Sequence, residues 1–559
     1  MGFLLVIGLF IALVAGAAVA DAPLALPVKG ETSLKRPLLP RSTPPAKRIY
    51  HLDLMESDVE QRLAVTVLQG LVNRNTPQIY ISQHPAWHGP HNVPFWLENL
   101  KTRGHEVVKI ENPLEAFQLF SSFIKGAVIY DSDLGENVIR RHKLNAVTLY
   151  CAINNAIPLT AEQNELLKLP VLLDVRGKYD KPLDAYTWAY EELWPHASRD
   201  AVALLRADNI VMRDYMVAHK IMPFWISHGM GLEDEAVCYQ FIDEIKANGV
   251  VLGCWAGYGE QPPGRLNEPD IQRLASLRGK YVLVSDGNFN TTLSSGLEFK
   301  KPEPPARPLK PELDPTKVYL TFAVTDGDNL QYLQQHFKSG QWWDDPARGN
   351  VPIGWSLNPI GIDLIPDVMQ YLLETSTPLD EFFCSTAGIG LVTPSLYGRD
   401  RYSNAAEVYD EYIKLTGSYM QDVGLDIIAL GDTSNVPWTR ADFELVSQTL
   451  PWLKGILADY GRSLGVNPSN SLMQTSNGTM VVRSLAAPGG NPEGSDPGET
   501  LADAIRNHLP ETRPNFMHVC LVNWHHSPSR VQAAMENLGD EFVALLPSQF
   551  FELVAEAAR

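Results

Sequence analysis

Hydrophobic and polar positions alternate along the chain in short blocks of two kinds. Residues 63–72, within LAVTVLQGLVNR, carry apolar side chains at helical spacing and predict an amphipathic helix, followed by a short strand at 77–81. Residues 126–131 and 146–153 read as strands and 184–194 as a helix. Next come a helix in DEAVCYQFIDEIKANG, a strand in VVLGCW ending at Trp255, a helix in EPDIQRLASLRG and a strand in YVLVSDGNF. Strand and helix alternating at this spacing predict α/β units with a largely parallel sheet.

Six prolines in residues 300–315 interrupt this pattern, because proline continues neither a helix nor a central strand. Beyond them eight strand candidates follow, at 318–324, 353–357, 381–386, 426–430, 455–459, 479–485, 517–522 and 542–547, most separated by helical segments. Residues 316–559 are thus close to the roughly 250 residues of a (β/α)₈ barrel, with an open doubly wound sheet as the competing architecture. The expected fold is α/β: N-terminal α/β subdomains over 48–299, a proline-rich linker at 300–315, and a TIM-barrel-like C-terminal domain over 316–559. Residues 21–47, also rich in proline, read as a linker or surface arm. No sequence repeat is evident.

The 559 residues carry 46 Lys+Arg against 65 Asp+Glu, a formal charge of −19, which argues against nucleic acid or an anionic membrane surface as partner. Residues 1–20 hold an apolar run and end in Ala18-Val19-Ala20, the pattern of a signal peptide cleaved after Ala20. The stretch lacks a basic N-terminal region, so an uncleaved anchor is the competing reading. The expected location is secreted or periplasmic, with no membrane association after signal removal. Five dispersed cysteines form no C-x-x-C pair, and three sit in apolar runs, the setting of buried, inert thiols.

In a barrel the active site lies where strands end at their C-termini. The first candidate strand leads into Thr325-Asp326-Gly327-Asp328-Asn329, the second into Asn358-Pro359, and the third into Ser385-Thr386 before Gly388 and Gly390. The fourth leads into Gly431-Asp432, the fifth ends at Asp459-Tyr460, and the seventh leads into Asn523-Trp524-His525-His526. Asp and Gly after a strand are ordinary turn formers, so the weight rests on recurrence of polar groups at one rim. Asp326 and Asp328, alternate residues leaving a strand, can converge on one substrate bond or one cation. Carboxyls about 5–5.5 Å apart suit retaining glycoside hydrolysis and about 6.5–9.5 Å inverting hydrolysis, one being held protonated. The D-G-D-N run lacks EF-hand spacing, and the histidine pair lacks H-x-x-x-H spacing. No G-x-S-x-G elbow, P-loop or complete G-x-G-x-x-G occurs, which removes sequence support for serine acyl transfer, P-loop hydrolysis and Rossmann hydride transfer.

Several of these segments together resemble a known family. Leu68-Gln69-Gly70-Leu71-Val72-Asn73-Arg74 with Pro77, Thr325-Asp326-Gly327-Asp328-Asn329, Gly354-Trp355-Ser356 with Asn358-Pro359, and Arg513-Pro514-Asn515-Phe516 with Asn523-Trp524 are similar in order and spacing to the GxGYxYP family assigned to glycoside hydrolysis. The resemblance covers residues 49–554 and implies an exported bacterial protein with α/β subdomains before a barrel-like domain. The naming motif falls on Gly388-Ile389-Gly390-Leu391-Val392-Thr393-Pro394, which keeps both glycines and the proline but replaces both tyrosines by Leu391 and Thr393. Either those tyrosines are dispensable or the activity is altered or lost.

The leading expectation is a glycoside hydrolase-like enzyme acting on a carbohydrate, a polysaccharide or glycoconjugate. Asp326 and Asp328 are the catalytic candidates, with Asp432 and Asp459 in reserve. Asn329 and Asn358 orient substrate, Trp355 and Trp524 stack on it, and Gly388, Gly390 and His525 line the site. No cofactor is expected. Two alternatives stay open: a metal-dependent carbohydrate deacetylase holding a divalent cation at Asp326, Asp328 and His525, and a non-catalytic glycan-binding protein.

Overall fold

The computed structural model describes residues 27–83, 92–132, 142–207, 209–226, 232–253, 266–325, 329–431, 436–458, 471–486, 497–509, 512–522 and 525–559. The signal-like residues 1–20 lie outside them. No helix of the described residues is long and apolar enough to cross a membrane.

The N-terminal half builds three small parallel sheets instead of one. The first holds β1 (Arg48–Asp53), β2 (Ile79–Ser82) and β3 (Glu106–Ile110) in the order β2-β1-β3. The second holds β4 (Gly126–Ile129), β5 (Ala156–Leu159) and β6 (Val171–Asp174) in the order β5-β4-β6. The third holds β7 (Ala201–Leu204), β8 (Met222–Phe224), β9 (Val250–Gly253) and β10 (Tyr281–Leu283) in the order β10-β9-β7-β8. In each, the first strand is flanked by the next two, so one topology recurs three times without a repeat in sequence. Residues 146–153, expected as a strand, lie instead in the helix Lys143–Asn154. That helix is buried on almost every face, so its apolar run shows no amphipathic period by which to tell helix from strand.

The helix Val59–Asn73, correctly expected, carries the segment that welds these modules. A Cβ on Gly70 would lie 2.6 Å from both the Asp214 carbonyl and Val217, so only glycine lets it approach the helix Arg213–His219. Arg74, at its end, donates to the carbonyls of Ala152 (2.6 Å), Val217 (2.8 Å) and Ala218 (3.2 Å) and to Asn155 Oδ1 (3.0 Å). One guanidinium from the first module thereby satisfies orphan carbonyls at helix ends of the second and third, where a cation also meets the negative pole of each helix. Asn290, in left-handed backbone (φ 51°), acts as a substitute strand for β2: its Oδ1 accepts from Ile81 N and its Nδ2 donates to Ile81 O, both at 2.9 Å.

The C-terminal half is a closed parallel barrel. Its strands are β11 (Val318–Thr325), β12 (Ile353–Leu357), β13 (Asp380–Cys384), β14 (Ile427–Leu430), β15 (Gly455–Ala458), β17 (Met480–Ala486) and β18 (Asn515–Val522), with β16 (Leu472–Gln474) antiparallel on β17. β18 and β12 both pair with β11 and close the ring at seven strands. The eighth expected strand, β19 (Phe542–Ala544), pairs only with Val318–Leu320, while β12 takes Ala323 and Val324 farther along β11. The interior carries Tyr319, Ala323, Phe383, Ile427, Ala429, Leu457, Met480, Val482 and Phe516, packed with Phe550, Phe551, Leu553 and Val554 of the C-terminal helix Pro547–Ala557. That helix stops the end of the barrel where the strands begin. A Cβ on Gly455 would come within 2.3 Å of the Phe551 ring, so the stopper seats only against glycine there.

Among their described residues the two proline-rich stretches form no helix, and only an isolated bridge at Val28 interrupts their irregular backbone. Residues 27–47 run as a strap: Arg36 stacks on Tyr419 (3.6 Å) and pairs with Asp422 (2.6 Å), Leu38 and Leu39 are buried, and Arg41 donates to the Ser295 carbonyl at 3.2 Å.

Arg74→Met keeps the aliphatic stem but orphans the Ala152, Val217 and Ala218 carbonyls. At about 1 kcal/mol for each lost bond, the expected cost is about 2–4 kcal/mol of N-terminal stability. It would be read as a lower urea midpoint followed by tryptophan fluorescence; an unchanged midpoint would contradict the welding role.

Candidate active site

Alternation along the strands decides which side chains reach the lumen. On β11, Tyr319 and Ala323 face inward, so Thr321 and Thr325 do too. By the same period His518 follows Phe516, Ser484 follows Val482 and Ser385 follows Phe383. In register, Thr321 stands beside His518 and His518 beside Ser484. Two inward positions farther along β11, beyond Ala323, Thr325 Oγ1 and Thr386 Oγ1 are hydrogen-bonded at 2.9 Å. The lumen is therefore apolar at the end stopped by the C-terminal helix and polar toward the C-terminal ends of the strands. This polar throat is where a barrel performs chemistry.

Burial governs the throat's electrostatics. His518 is 3% exposed, and desolvation pushes its imidazole down to about 4, against a smaller upward pull from the Val482 carbonyl. It stands in the throat as a neutral ring able to donate and accept one hydrogen bond each. Sequence reading passed over His518, Thr321 and Ser484. The only available signal was a polar residue at every second position of otherwise apolar barrel strands. Cys384 and Cys520 are buried, and burial pushes the Cys384 thiol up, in keeping with inert cysteines.

The third module overlooks this mouth. The helix Asn329–Gln335 leaves β11 directly and is met by the loop after β10. Gly287 N donates to Gln331 Oε1 (2.6 Å), and Asn288 Nδ2 to Gln334 Oε1 (2.9 Å). From the first module, Trp96 Nε1 donates to the Gln334 carbonyl (2.6 Å) and Asn92 Nδ2 to the Gln335 carbonyl (2.7 Å). C-terminal strand ends of the first module, the third module and the barrel thus gather around one helix.

The expected site residues divide accordingly. Asp326, Asp328, Asp432, Asp459 and Trp524 lie outside the described residues, as does the side chain of Asn329. His525 is exposed just beyond β18. The other four have packing roles. Trp355 is fully buried on the outer face of the barrel among Phe337, Trp342 and Trp343, and its Nε1 donates to Asp380 Oδ1 at 2.8 Å. A ring so enclosed cannot stack on a sugar, which corrects that expectation. Asn358 is buried and spent on its own loop, donating to the Ile389 carbonyl (3.1 Å) and accepting from Ile360 N (3.2 Å).

Gly388 and Gly390 line no described cavity. Leu391 N donates to the Val282 carbonyl (2.7 Å) and Val282 N to the Leu391 carbonyl (3.1 Å), so the segment after β13 adds to β10 as an antiparallel edge. A Cβ on Gly390 would lie 2.4 Å from Tyr281 and 2.7 Å from the Val282 carbonyl. Gly388 has φ +107°, and a Cβ there would meet Thr416 at 2.7 Å. The glycines are required by close backbone approach and a backbone shape that L-residues resist. Leu391 joins the core of the third module, and Thr393 N donates to Ser276 Oγ at 2.8 Å.

Residues 48–122, 124–197 and 200–296 match the first, second and third GxGYxYP N-terminal domains, and residues 316–555 match the "GxGYxYP putative glycoside hydrolase C-terminal domain". The chain belongs to the GxGYxYP family. Its naming motif is the module-joining edge just described, and the two positions where tyrosine is replaced, Leu391 and Thr393, are both buried in that joint. No curated protein matches the sequence. Among solved structures, "a putative hydrolase from Bacteroides thetaiotaomicron VPI-5482" superposes with TM-score 0.74 at 19% identity, over 95% of this chain and 99% of that one. At that identity the likeness shows a shared fold. Among the described residues, no group of three or more His, Cys, Asp or Glu side chains is placed to hold a metal ion.

Two measurements check these assignments. Leu391→Tyr, which restores the family residue, overfills a buried site and should cost about 1–3 kcal/mol without raising turnover; a gain in activity would return the position to the active site. His518 has its folded pKa below the usual 6.5, so the unfolded chain takes up its proton first. Its contribution to stability is complete above pH 6.5 and lost as pH falls toward about 4. An NMR titration should show the His518 ring neutral at pH 5.5; a midpoint near 6.5 would contradict its burial.

Proposed function

We propose that this protein is an exported glycoside hydrolase-like enzyme whose reaction centre is the mouth of the barrel. Membership of a family described as glycoside hydrolases supports a hydrolase, and the polar throat above an apolar, stopped lumen is the observation that carries the reading. It gathers hydroxyl and imidazole groups at the C-terminal ends of the strands, the groups with which a sugar exchanges water for protein hydrogen bonds. The third module supplies the overhanging wall.

In this reading Asp326 and Asp328, which follow the last residue of β11, supply the carboxylate pair, with Asp432 after β14 and Asp459 after β15 in reserve. One carboxyl protonates the leaving oxygen while another, ionised, attacks the anomeric carbon or activates water. The neutral His518, deeper in the barrel, contributes a hydrogen bond without adding positive charge, so it does not depress the pKa of a catalytic acid at the mouth. Thr325 and Thr386 orient hydroxyls. The lost tyrosines do not count against activity, since their positions face the module joint.

Asp326→Asn and Asp328→Asn should each lower kcat on a cleaved glycan by at least about a thousandfold while leaving the far-ultraviolet circular dichroism unchanged. Full activity in both variants would overturn the assignment of this pair.

A further inference from the structure

Beside the barrel mouth, past the end of β18, lies a cavity of about 300 Å³ lined by Gly340, Gln341, Asp345, His525, His526, Ser527 and Arg530. Its frame is fixed from both sides. Gln341 Nε2 donates to the His526 carbonyl (3.1 Å), and Arg530 Nη1 donates to the His525 carbonyl. Asp345 Oδ1 accepts from Ala347 N (2.8 Å) and from Ser529 Oγ (2.7 Å), which ties the loop before β12 to the helix Pro528–Leu538.

The charges are unbalanced in an informative way. One oxygen of Asp345 is already committed to holding the loop. Arg530 has no carboxylate partner among the described residues. Its guanidinium keeps donors free beyond the one given to His525, and His525 presents an exposed imidazole next to it. A planar donor fork beside an imidazole fits a carboxylate or a sulfate, while the free oxygen of Asp345 can accept a ring hydroxyl. The volume admits a single sugar unit and not a chain.

We propose that this cavity is a subsite for an anionic substituent on the glycan, a uronic-acid carboxylate or a sulfate ester, recognised by Arg530 with His525. The proposal rests on the glycoside hydrolase reading and deepens it by naming an acidic sugar as the substrate class.

The test is binding by isothermal titration to the full chain, which requires no turnover, using methyl β-D-glucuronide, methyl β-D-glucoside and inorganic sulfate as probes. The glucuronide or sulfate should bind at one site and at least about tenfold more tightly than the neutral glucoside, the worth of one charge-assisted hydrogen bond. Arg530→Gln should erase that preference and Arg530→Lys should restore part of it. His525→Ala, at an exposed position, should weaken the anion several-fold and serves as a second variant should Arg530→Gln fail to fold. Glucuronide binding without sulfate binding identifies the carboxylate as the group read, and the converse identifies a sulfate ester. Equal affinity for charged and neutral sugars, or a preference unchanged in Arg530→Gln, would overturn the subsite. Anion binding without hydrolysis of any glycan would sink the hydrolase reading and leave the subsite standing.

Discussion

Two main-chain hydrogen bonds between Leu391 and Val282 hold the third module against the barrel, and the placement of the candidate site depends on them. They form only because Gly390 lets backbone cross Tyr281 where a Cβ would sit 2.4 Å from the ring, and because Gly388 takes φ +107°. Each bond is worth about 1 kcal/mol net, so the pair is modest in energy and large in geometry. It fixes which face of the third module looks at the barrel mouth. The glutamine-lined helix after β11, Asn290 on β2, and Arg74 across three helices extend the same logic through the N-terminal half. In every case a polar side chain or a glycine meets a neighbour's backbone.

This arrangement explains why several of the family's recurring segments read so strongly in the sequence while serving the packing of the fold. The segment Leu68–Arg74 seats one helix on two modules, Trp355 anchors an aromatic cluster outside the barrel, and the GxG run is an added strand edge. Such contacts tolerate few substitutions because each serves backbone at close range. The replaced tyrosines are consistent with this: leucine and threonine fill buried volume, with Thr393 held through Ser276. The proposed chemistry falls to loops that follow the strands and to the polar layer inside the barrel.

Much of the fold was legible because its units are long and periodic. Eight strands were readable in the C-terminal half, and all eight form, seven of them in the barrel. Closure at seven was not readable, because it depends on β12 and β19 sharing one edge of β11, a matter of register and not of pattern. The three small sheets were hidden because their strands of three to six residues give too few positions to show a period. The helix Lys143–Asn154 was misread for the related reason that it is buried all round. Within the candidate site, rim loops could be located by strand ends, whereas Trp355 and Asn358 could not be separated from site residues without knowing which way each side chain turns. His518 was missed because one histidine inside MHVCLV resembles any core residue.

The central claim, that the GxG segment is a structural edge joining the third module to the barrel, is tested most directly by native-state amide exchange at Val282 and Leu391. The two bonds break only when the modules part, so both amides should exchange at the same rate, at least about a hundredfold slower than in a free peptide. Rapid exchange at Leu391 while Val282 stays protected would contradict the claim, and would return the segment to the loops that surround the active site.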